Sequence, residues 1–390
     1  MIERMDALTT PLNWQRVRLG DICEFGNGGA YETLIVENGD FKLISLNSID
    51  IDGNLKNTMK RVNFYDNSLK QDDIIMVLSD VAHGDFLGLC AVIPSNDYVL
   101  NQRMGRLRIR NDCINILFLR LYINANQKYF KMQGQGSSQL NLSKKAIEDF
   151  EILLPPLNEQ SAIANILSAL DRYLCALDAL ILKKEGVKKA LSFELLSQRK
   201  RLKGFNQAWQ RVRLGDIANY LTSNLSAEQI TQQGKIKVYD VNNFIGYTDT
   251  TFISDKPYIS IVKDGSVGRV RILPPKTNIL STMGALIANH RTTTEFLFYL
   301  LSNFDFKNFT SGSIIPHIYF KDYKEKTIFL PPLNEQSAIA NILSALDNEI
   351  TSLKNKKRQF ENIKKALNHD LMSAKIRVSH LMKTEPFDNE

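Results

Sequence analysis

Apolar side chains recur mostly at spacings of three and four residues in two long segments of the chain. The first series is Ile163, Leu167, Leu170, Leu174, Leu177 and Ile181, and the second is Ile339, Leu343, Leu346, Ile350, Leu353, Phe360, Leu367 and Leu371. This spacing predicts two helices, each with an apolar seam suited to coiled-coil packing. Because neither segment contains an internal proline, each helix can run for about 40 residues, or about 60 Å. Asn158 is predicted to cap the first helix, with Glu159 in its first turn.

The two segments are copies of one repeated unit. PPLNEQSAIANILSALD occurs at Pro155–Asp171 and again at Pro331–Asp347, and WQRVRLGDI occurs at Trp14–Ile22 and again at Trp209–Ile217. The chain therefore has an opening motif, a variable region and a helical unit, followed by the same three parts. Two copies are too few for a solenoid. They favour a pseudo-two-fold dimer within one chain, whose seams pair as antiparallel helices, with two unrelated surface helices as the alternative.

The variable regions, residues 23–154 and 218–330, contain short apolar and alternating runs that predict strands. The predicted strands are Phe41–Leu46, Asp73–Leu78, Leu89–Ile93 and Arg106–Ile109, then Lys235–Tyr239, Tyr258–Val262, Arg269–Leu273 and Ala285–Ile287. Each region continues with a predicted helix (Ile116–Tyr129 or Thr294–Asn303), a Gly/Ser loop (Gly134–Gln139 or Thr310–His317) and a last strand. The predicted fold class is α+β (mixed α/β), with two globular domains and two long antiparallel coiled-coil helices. The predicted boundaries are 1–154, 155–205, 206–330 and 331–390.

Composition narrows the functional classes. The 390 residues carry a formal net charge of +7 with a pI of about 9.0, which favours an anionic partner such as nucleic acid, although a merely soluble basic protein fits as well. Four widely separated cysteines without a C-x-x-C pair indicate reduced thiols and argue against a zinc site. The sequence has no run long enough for a membrane span and no signal-peptide pattern at its N-terminus, so we expect a cytoplasmic protein.

Catalytic motifs are absent from the sequence. FGNGG at Phe25–Gly29 faintly resembles a glycine loop for S-adenosylmethionine, but a lone glycine cluster is weak evidence and we interpret it as a turn. The sequence also lacks a G-x-x-x-x-G-K-[ST] loop, a G-x-S-x-G elbow, an H-E-x-x-H helix and a nuclease-type carboxylate cluster. We therefore expect no catalysis, no metal and no cofactor on this chain.

Taken together, these motifs resemble the conserved regions of type I restriction–modification specificity subunits. PPLNEQSAIANIL at the start of two long helices, the W-x-x-V-x-L-G-D-I openings and a Gly/Ser loop before each L-P-P-L-x-E-Q are all typical of that family. The resemblance covers nearly the whole chain, and the doubled motif in this order is specific. It implies a non-catalytic DNA reader with two target-recognition domains at opposite ends of the antiparallel helices, each reading one half of a split, asymmetric site in double-stranded DNA.

The resemblance also implies partners. Two methylation subunits would dock on the conserved helices and restriction subunits would join that core, with S-adenosylmethionine, ATP and magnesium on the partner subunits. Half-sites about one DNA turn (~10 bp) apart would leave an unread spacer of about 5–8 bp. Glu159, Gln160, Glu335 and Gln336 are predicted to face a methylation subunit or the opposite half, although capping and local helix bonding explain them almost as well.

Base-reading residues are predicted on polar loops, since base edges are read by amide, hydroxyl and charged side chains. The predicted DNA-binding residues of the first region are Lys42, Asn47, Ser79, His83, Asn101, Gln102, Arg103, Gln135, Ser137, Ser138 and Gln139. Those of the second region are Asn242, Asn243, Lys263, Ser266, Arg269, Ser311, Ser313 and His317. Each of them can also be an ordinary solvated loop residue.

Two other functions remain open at this point. One is a free-standing coiled-coil DNA-binding protein that needs no methylation partner, which a pulldown would recover with DNA alone. The other is a methyltransferase with divergent motifs, which would bind S-adenosylmethionine as a single chain.

Overall fold

The computed structural model describes residues 13–81 and 84–378, which form two compact units. The described residues within 1–176 and 357–390 form the first unit, and residues 177–356 form the second unit. Each unit thus combines one variable region with a stretch of each long helical segment. Pairing across distant parts of the sequence is therefore required to complete both units.

The first unit is built on a four-stranded and a three-stranded sheet. Its strands are β1 (Gln15–Arg18), β2 (Cys23–Asn27), β3 (Phe41–Ile44), β4 (Lys60–Val62), β5 (Ile74–Val77), β6 (Ser79–Val81), β7 (Cys90–Val92), β8 (Tyr98–Leu100), β9 (Met104–Ile109), β10 (Gln139–Asn141) and β11 (Glu151–Leu154). The larger sheet has the antiparallel order β2-β9-β5-β7, and the smaller has the order β4-β3-β8 with β3 parallel to β8. Two further antiparallel pairs are β1-β11 and β6-β10.

The helices of the first variable region are short and lie near the strands. They are α1 (Leu19–Ile22), α2 (Ile116–Ala125), α3 (Gln127–Gln133) and α4 (Lys144–Glu148). The predicted helix Ile116–Tyr129 is therefore wrong in one respect, because the helical run is interrupted at Asn126. At Asn126 the backbone leaves the helical conformation, with φ −104° and ψ +20°. Its N–H and its side-chain amide both donate to the Tyr122 carbonyl oxygen, at 3.2 and 2.8 Å.

The second unit repeats the same sheet topology with a different sequence. Its strands are β12 (Gln210–Arg213), β13 (Ala218–Thr222), β14 (Ile236–Tyr239), β15 (Phe244–Thr248), β16 (Tyr258–Val262), β17 (Val270–Leu273), β18 (Thr277–Ile279), β19 (Met283–Ala288), β20 (Thr310–Ser311), β21 (His317–Ile318) and β22 (Thr327–Leu330). The sheet orders are β13-β19-β16-β17 and β15-β14-β18, with the pairs β12-β22 and β20-β21. The short helices are α6 (Thr294–Ser302) and α7 (Phe320–Tyr323), which come after the long helix α5 (Leu157–Leu196) in the chain.

The central strands form where the sequence has uninterrupted apolar runs. Every residue of β5 and β16 is buried, as expected for strands covered on both faces. Helices α2 and α6 begin at polar caps. The side chain of Asn115 accepts from the Phe118 N–H, and that of Thr293 accepts from the Phe296 N–H. The mixed α/β class and all eight predicted strands of the variable regions are confirmed.

The two long helices have the predicted length. They are α5 (Leu157–Leu196) and α8 (Leu333–Met372), each of 40 residues. The prediction that Asn158 caps α5 is wrong, because the helix already begins at Leu157. The carbonyl oxygen of Pro156 instead accepts the first helical bond, from the Gln160 N–H at 3.0 Å.

Stretches of the two long helices pair within each unit, and each pairing is antiparallel. In the first unit the rings of Tyr173 and Phe360 are 4.7 Å apart, and Lys364 forms an ion pair with Asp171. In the second unit, Lys188 lies 2.5 Å from Asp347 and Lys184 lies 2.7 Å from Glu349. Within either unit, higher numbers on one helix match lower numbers on the other.

The first turns of each long helix also complete a globular core. In the first unit Ile163 and Leu167 pack with Trp14, Phe118, Leu371 and Met372. In the second unit Ile339 and Leu343 pack with Leu195, Trp209 and Phe296. The apolar seam of each long helix therefore has two roles. Its first turns pack into the core of the globular domain, and its later turns pair with the other long helix.

Candidate nucleic-acid interface

In the first unit, the loop after the central strand β5 is joined to the Gly/Ser loop. Strands β6 and β10 pair so that Ser79 lies opposite Asn141. The Leu142 N–H donates to the Leu78 carbonyl oxygen at 2.8 Å and fixes the same register. The structure thus brings together two segments that the sequence predicted separately as DNA-binding loops.

Side chains of these two segments form a polar chain. Gln139 Nε2 donates to Ser79 Oγ at 2.7 Å, and Ser79 Oγ donates to Asn141 Oδ1. Ser79, in the middle of this polar chain, is buried, whereas Asn141 is exposed. The other predicted residues of the Gly/Ser loop are exposed: Gln135, Ser137 and Ser138.

The turn between β8 and β9 lies against the same loop. The Leu78 N–H donates to the Arg103 carbonyl oxygen at 3.0 Å. Gln102 and Arg103 are exposed, but Asn101 is buried and its side chain accepts from the Gln102 N–H at 2.6 Å. Asn101 therefore shapes the turn, and Gln102 and Arg103 are the members of the predicted cluster that present side chains to solvent.

The second unit has the corresponding arrangement. An isolated bridge pairs Asp264 with His317, and His317 Nδ1 lies 2.7 Å from Asp264 Oδ1. The Ile318 N–H donates to the Lys263 carbonyl oxygen, and the Gly265 N–H donates to the Pro316 carbonyl oxygen, both at 2.9 Å. The remaining predicted side chains of these loops are exposed: Ser266, Arg269, Ser311 and Ser313.

Asn47 and Asn242 occupy corresponding places after the first strand of each smaller sheet. Both are exposed, as is Asn243. Asn242 Oδ1 accepts from Arg269 Nη2 at 2.8 Å, which links this turn to the loop after β16. Within residues 13–81 and 84–378, Asn47 has no hydrogen bond to Ser79, Gln139 or Asn141.

Lys42 stands apart from these clusters. Lys42 lies on β3 beside Asp97, with Nζ 2.9 Å from the carboxylate, and this hydrogen bond raises the pKa of Lys42. Its charge is partly neutralised within the unit. His83 lies outside the described residues. The base-contacting role of every residue named above stays a prediction.

The repeated glutamines lie in the interior of their own units. Gln160 Oε1 accepts from the Asn115 N–H at 2.8 Å, and its Nε2 donates to the carbonyl oxygens of Cys113 and Pro155. Gln336 makes the matching bonds to the Thr293 N–H and to the carbonyl oxygens of Arg291 and Pro331. The predicted contact with a partner is therefore corrected for both glutamines, because they are buried and staple the helix start to the sheet domain.

The repeated glutamates bind the tryptophans of the opening motifs. Trp14 Nε1 donates to Glu159 at 3.1 Å, and Trp209 Nε1 donates to Glu335 at 2.9 Å. Glu335 is fully buried and also pairs with Arg201 at 2.7 Å, whereas Glu159 is half-buried. The partner-binding prediction is likewise corrected for Glu335, whose carboxylate has no surface to offer, and both glutamates join a variable region to its helix.

Sequence reasoning missed three residues of these loops. Asn141 and Asp264 are the partners of Ser79 and His317, and the Thr282 carbonyl oxygen accepts from the Lys263 N–H at 3.1 Å as Arg103 does from Leu78. A signal was present for Asn141, because it precedes His317 by the same 176 residues that separate the two helix repeats. Asp264 and Thr282 had no such signal, since insertions between the strands shift the alignment there.

The glycine cluster Phe25–Gly29 has a structural explanation. The segment ends strand β2, and the Gly29 N–H donates to the Leu100 carbonyl oxygen at 3.0 Å. A Cβ at Gly28 would lie 2.2 Å from the Asn101 carbonyl oxygen, so only glycine permits this close backbone approach. The interpretation as a turn is thus replaced by a strand end packed against a neighbouring backbone.

Residues 13–81 and 84–378 contain no group of three or more His, Cys, Asp or Glu side chains placed to hold a metal ion. Within those same ranges, none of the helices has the length and apolar character needed to span a membrane.

Comparisons with known proteins agree with these features. The family model described as the type I restriction modification DNA specificity domain matches residues 11–184 and again residues 206–362. Two curated relatives come from Methanocaldococcus jannaschii. The type I restriction enzyme MjaVIII specificity subunit is 23% identical, covering 97% of this chain and 96% of the relative, and the putative MjaX specificity subunit is 25% identical over 94% and 95%.

Solved structures share the fold. The S subunit of a type I restriction–modification system from M. genitalium aligns with a TM-score of 0.64 at 19% identity, covering 94% of this chain and 98% of that one. A chain from a study of complex assembly and conformational transition of the type I R-M system aligns with a TM-score of 0.56 at 14% identity, covering 94% and 99%. The family model matches most of the chain in two copies, and the chain therefore belongs to the type I restriction modification DNA specificity domain family.

Proposed function

We propose that this chain is a sequence-specific DNA-binding specificity subunit that reads a split, asymmetric site, one half with each unit. The observation that carries the proposal is that the two units share a topology but differ at corresponding loop positions. Ser79 and Asn141 in the first unit correspond to Asp264 and His317 in the second. Because hydrogen-bonding groups on such loops read base edges, unlike side chains in matching places favour unlike half-sites.

The proposed spacer follows from DNA geometry. Two half-sites on one face of the duplex lie about one turn apart, ~10 bp from centre to centre. If each half is about 3–5 bp, the unread spacer is about 5–8 bp. Exposed Gln102, Arg103, Ser266 and Arg269 are suited to contact bases or phosphates at the two half-sites.

The duplicated surface supports docking of two identical methylation subunits. Leu157 and Leu333, at the start of the two long helices, are exposed by 45% and 48% although both are large and apolar. Arg16 and Arg211, on the repeated opening strands, are also exposed. Since these exposed positions are identical in the two repeats, each set suits one copy of the same partner. Restriction subunits would join that assembly in the cytoplasm.

Catalysis is assigned to the partners. The methylation subunits would hold S-adenosylmethionine, and the restriction subunits would hold ATP and magnesium, while this chain is non-catalytic. The rival functions, a free-standing DNA-binding protein and a methyltransferase in its own right, predict different requirements for a second gene product.

Long-read methylome sequencing tests the proposal. Cells carrying this chain with its candidate methylation subunit should show a new split, asymmetric adenine motif that neither gene produces alone. A matched pair of variants, Leu157→Glu and Leu333→Glu, should each reduce methylation without unfolding the chain. A motif that appears with this chain alone would favour the methyltransferase. DNA binding in a pulldown with no motif and no partner would favour the free-standing protein, and a continuous or palindromic motif would refute the split-site geometry.

A further inference from the structure

The segment after β20 holds His317 in a fixed position. Gly312 has a φ of +91°, and a Cβ there would lie 2.3 Å from the Ile315 carbonyl oxygen and 3.0 Å from His317 Cδ2. Only glycine therefore lets the loop backbone lie against the imidazole ring. The flanking backbone bonds of Pro316 and Ile318 to the loop after β16 fix the residues on either side.

Asp264 determines which ring nitrogen of His317 is available. The carboxylate is the partner of Nδ1 at 2.7 Å, so the tautomer with a proton on Nδ1 is favoured and Nε2 is left as an acceptor. Within residues 13–81 and 84–378, Nε2 has no hydrogen-bond partner. The side chain of His317 is about one-third exposed, with 35% of its surface accessible.

The first unit has the same construction with different chemistry. Gly136, with a φ of +123°, precedes Asn141 as Gly312 precedes His317, and Ser79 donates to Asn141 where Asp264 contacts His317. The two sites are thus corresponding places in the two units, one neutral and one with an imidazole and a carboxylate. This correspondence provides an internal control within the same chain.

We propose that His317 is a base-reading residue of the second unit, oriented by Asp264 as a positioning residue, and that its Nε2 accepts a hydrogen bond from the exocyclic amino group of an adenine or cytosine. Adenine N6 and cytosine N4 are the amino donors in the major groove, whereas guanine and thymine present acceptors there. The inference rests on the proposed function, since it assigns one base pair within the second half-site.

The test uses the full chain in complex with its methylation subunits and synthetic duplexes that carry the motif found by methylome sequencing. At each adenine or cytosine of the second half-site, the amino group is removed by substituting purine for adenine or 2-pyrimidinone for cytosine. For the wild-type complex, one such deletion should weaken binding by roughly 5- to 20-fold through loss of the Nε2 contact.

Substitutions at His317 separate base reading from structure. His317→Asn retains an amide N–H that can reach Asp264 but lacks Nε2. It should weaken binding of the intact duplex by a similar factor and then show no further loss when that same amino group is removed, a non-additive result. Asp264→Asn should weaken the contact with the same base pair less than His317→Asn does. Ser79→Ala, at the corresponding place in the first unit, should leave discrimination in the second half-site unchanged.

Several results would overturn the inference. If His317→Asn loses as much as the wild type at every amino deletion, His317 does not read an amino group. Coupling of His317 to a guanine or thymine, through replacement of guanine by 7-deazaguanine for example, would show that Nε2 donates instead. His317→Gln, whose amide reaches the place of Nε2, should retain part of the coupling and serves if the asparagine variant folds poorly. Failure of the wild-type complex to bind any split motif would instead refute the proposed function itself.

Discussion

The chain has only two tryptophans, one in each unit, and each donates a hydrogen bond to the repeated glutamate of its own unit. The two glutamates differ from each other in burial. Glu335 is fully buried and accepts three hydrogen bonds, from Trp209 Nε1 at 2.9 Å and from Arg201 Nε and Nη2 at 3.2 and 2.7 Å. Glu159 accepts one bond, from Trp14 at 3.1 Å, and is half-buried. Although the two motifs have the same sequence, the two glutamates are therefore expected to contribute unequally to the free energy of unfolding.

The inequality has a structural cause. Arg377 occupies in the repeat the place of Arg201, but its guanidinium donates to Asn13 Oδ1 at 2.6 Å. Glu335→Ala should lower the free energy of unfolding of the second unit by about 3–4 kcal/mol, because it removes a buried acceptor of three hydrogen bonds. Glu159→Ala should cost about 1–1.5 kcal/mol, as expected for one partly exposed bond. The expected difference is about 2 kcal/mol.

Single-tryptophan variants measure the two energies separately. In a Trp14→Phe background the remaining fluorescence reports the second unit, and in a Trp209→Phe background it reports the first unit. With an m-value of about 2 kcal/mol per molar urea, Glu335→Ala should lower the midpoint of the second unit by about 1.5–2 M and Glu159→Ala that of the first by about 0.5–0.8 M. Equal shifts, or a larger shift for Glu159→Ala, would refute the reasoning that burial and the arginine decide the energy.

Thiol labelling, alkaline titration and glutamine substitution test other parts of the units. A thiol reagent should modify Cys113 and Cys175 in the native chain but reach Cys23 and Cys90 only in denaturant, since these two are buried with raised pKa values; native labelling of all four would contradict this. Burial raises the pKa of Tyr258 from 10.0 to about 12, so the stability that it contributes is present below pH 10 and lost as pH rises toward 12. Tyrosinate absorbance should therefore lag behind that of exposed tyrosines until the unit unfolds. Gln160→Ala and Gln336→Ala should each cost about 2–3 kcal/mol in urea unfolding, because buried backbone groups lose their partner, and shifts below 1 kcal/mol would contradict the staple.

The parts of the fold that depend on local sequence were predictable. Helix length follows from the heptad pattern and the absence of proline, and Leu157–Leu196 and Leu333–Met372 agree with it. Buried strands such as β5 and β16 follow from apolar runs. The break at Asn126 was not visible in the sequence, because no proline or glycine marks the place where the backbone leaves the helical conformation.

The candidate site was predictable only in part, because its geometry depends on pairing between distant segments. Ser79 and Gln139 were predicted as members of two loops, but their contact depends on the register of β6 with β10, which no local pattern specifies. The same holds for Asp264 and His317. Burial of Gln160 was also hidden, since a polar residue in a first helical turn is ordinarily exposed, and the backbone groups that it satisfies belong to a loop more than forty residues earlier.

Burial also changes the explanation of the repeated sequence. Many of its identical residues are required inside their own units. Leu167 and Leu343 pack in the cores, and Gln160 and Gln336 hydrogen-bond the helix starts to the sheet domains. Identity at such positions needs no shared partner, since both units have the same topology to satisfy. Exposed identities are different, because Leu157 and Leu333 keep 45% and 48% of their surface in water although both are large and apolar. The argument for a duplicated partner therefore rests on the exposed repeat positions alone, and substitutions there, not in the buried repeat, are the ones that separate docking from folding.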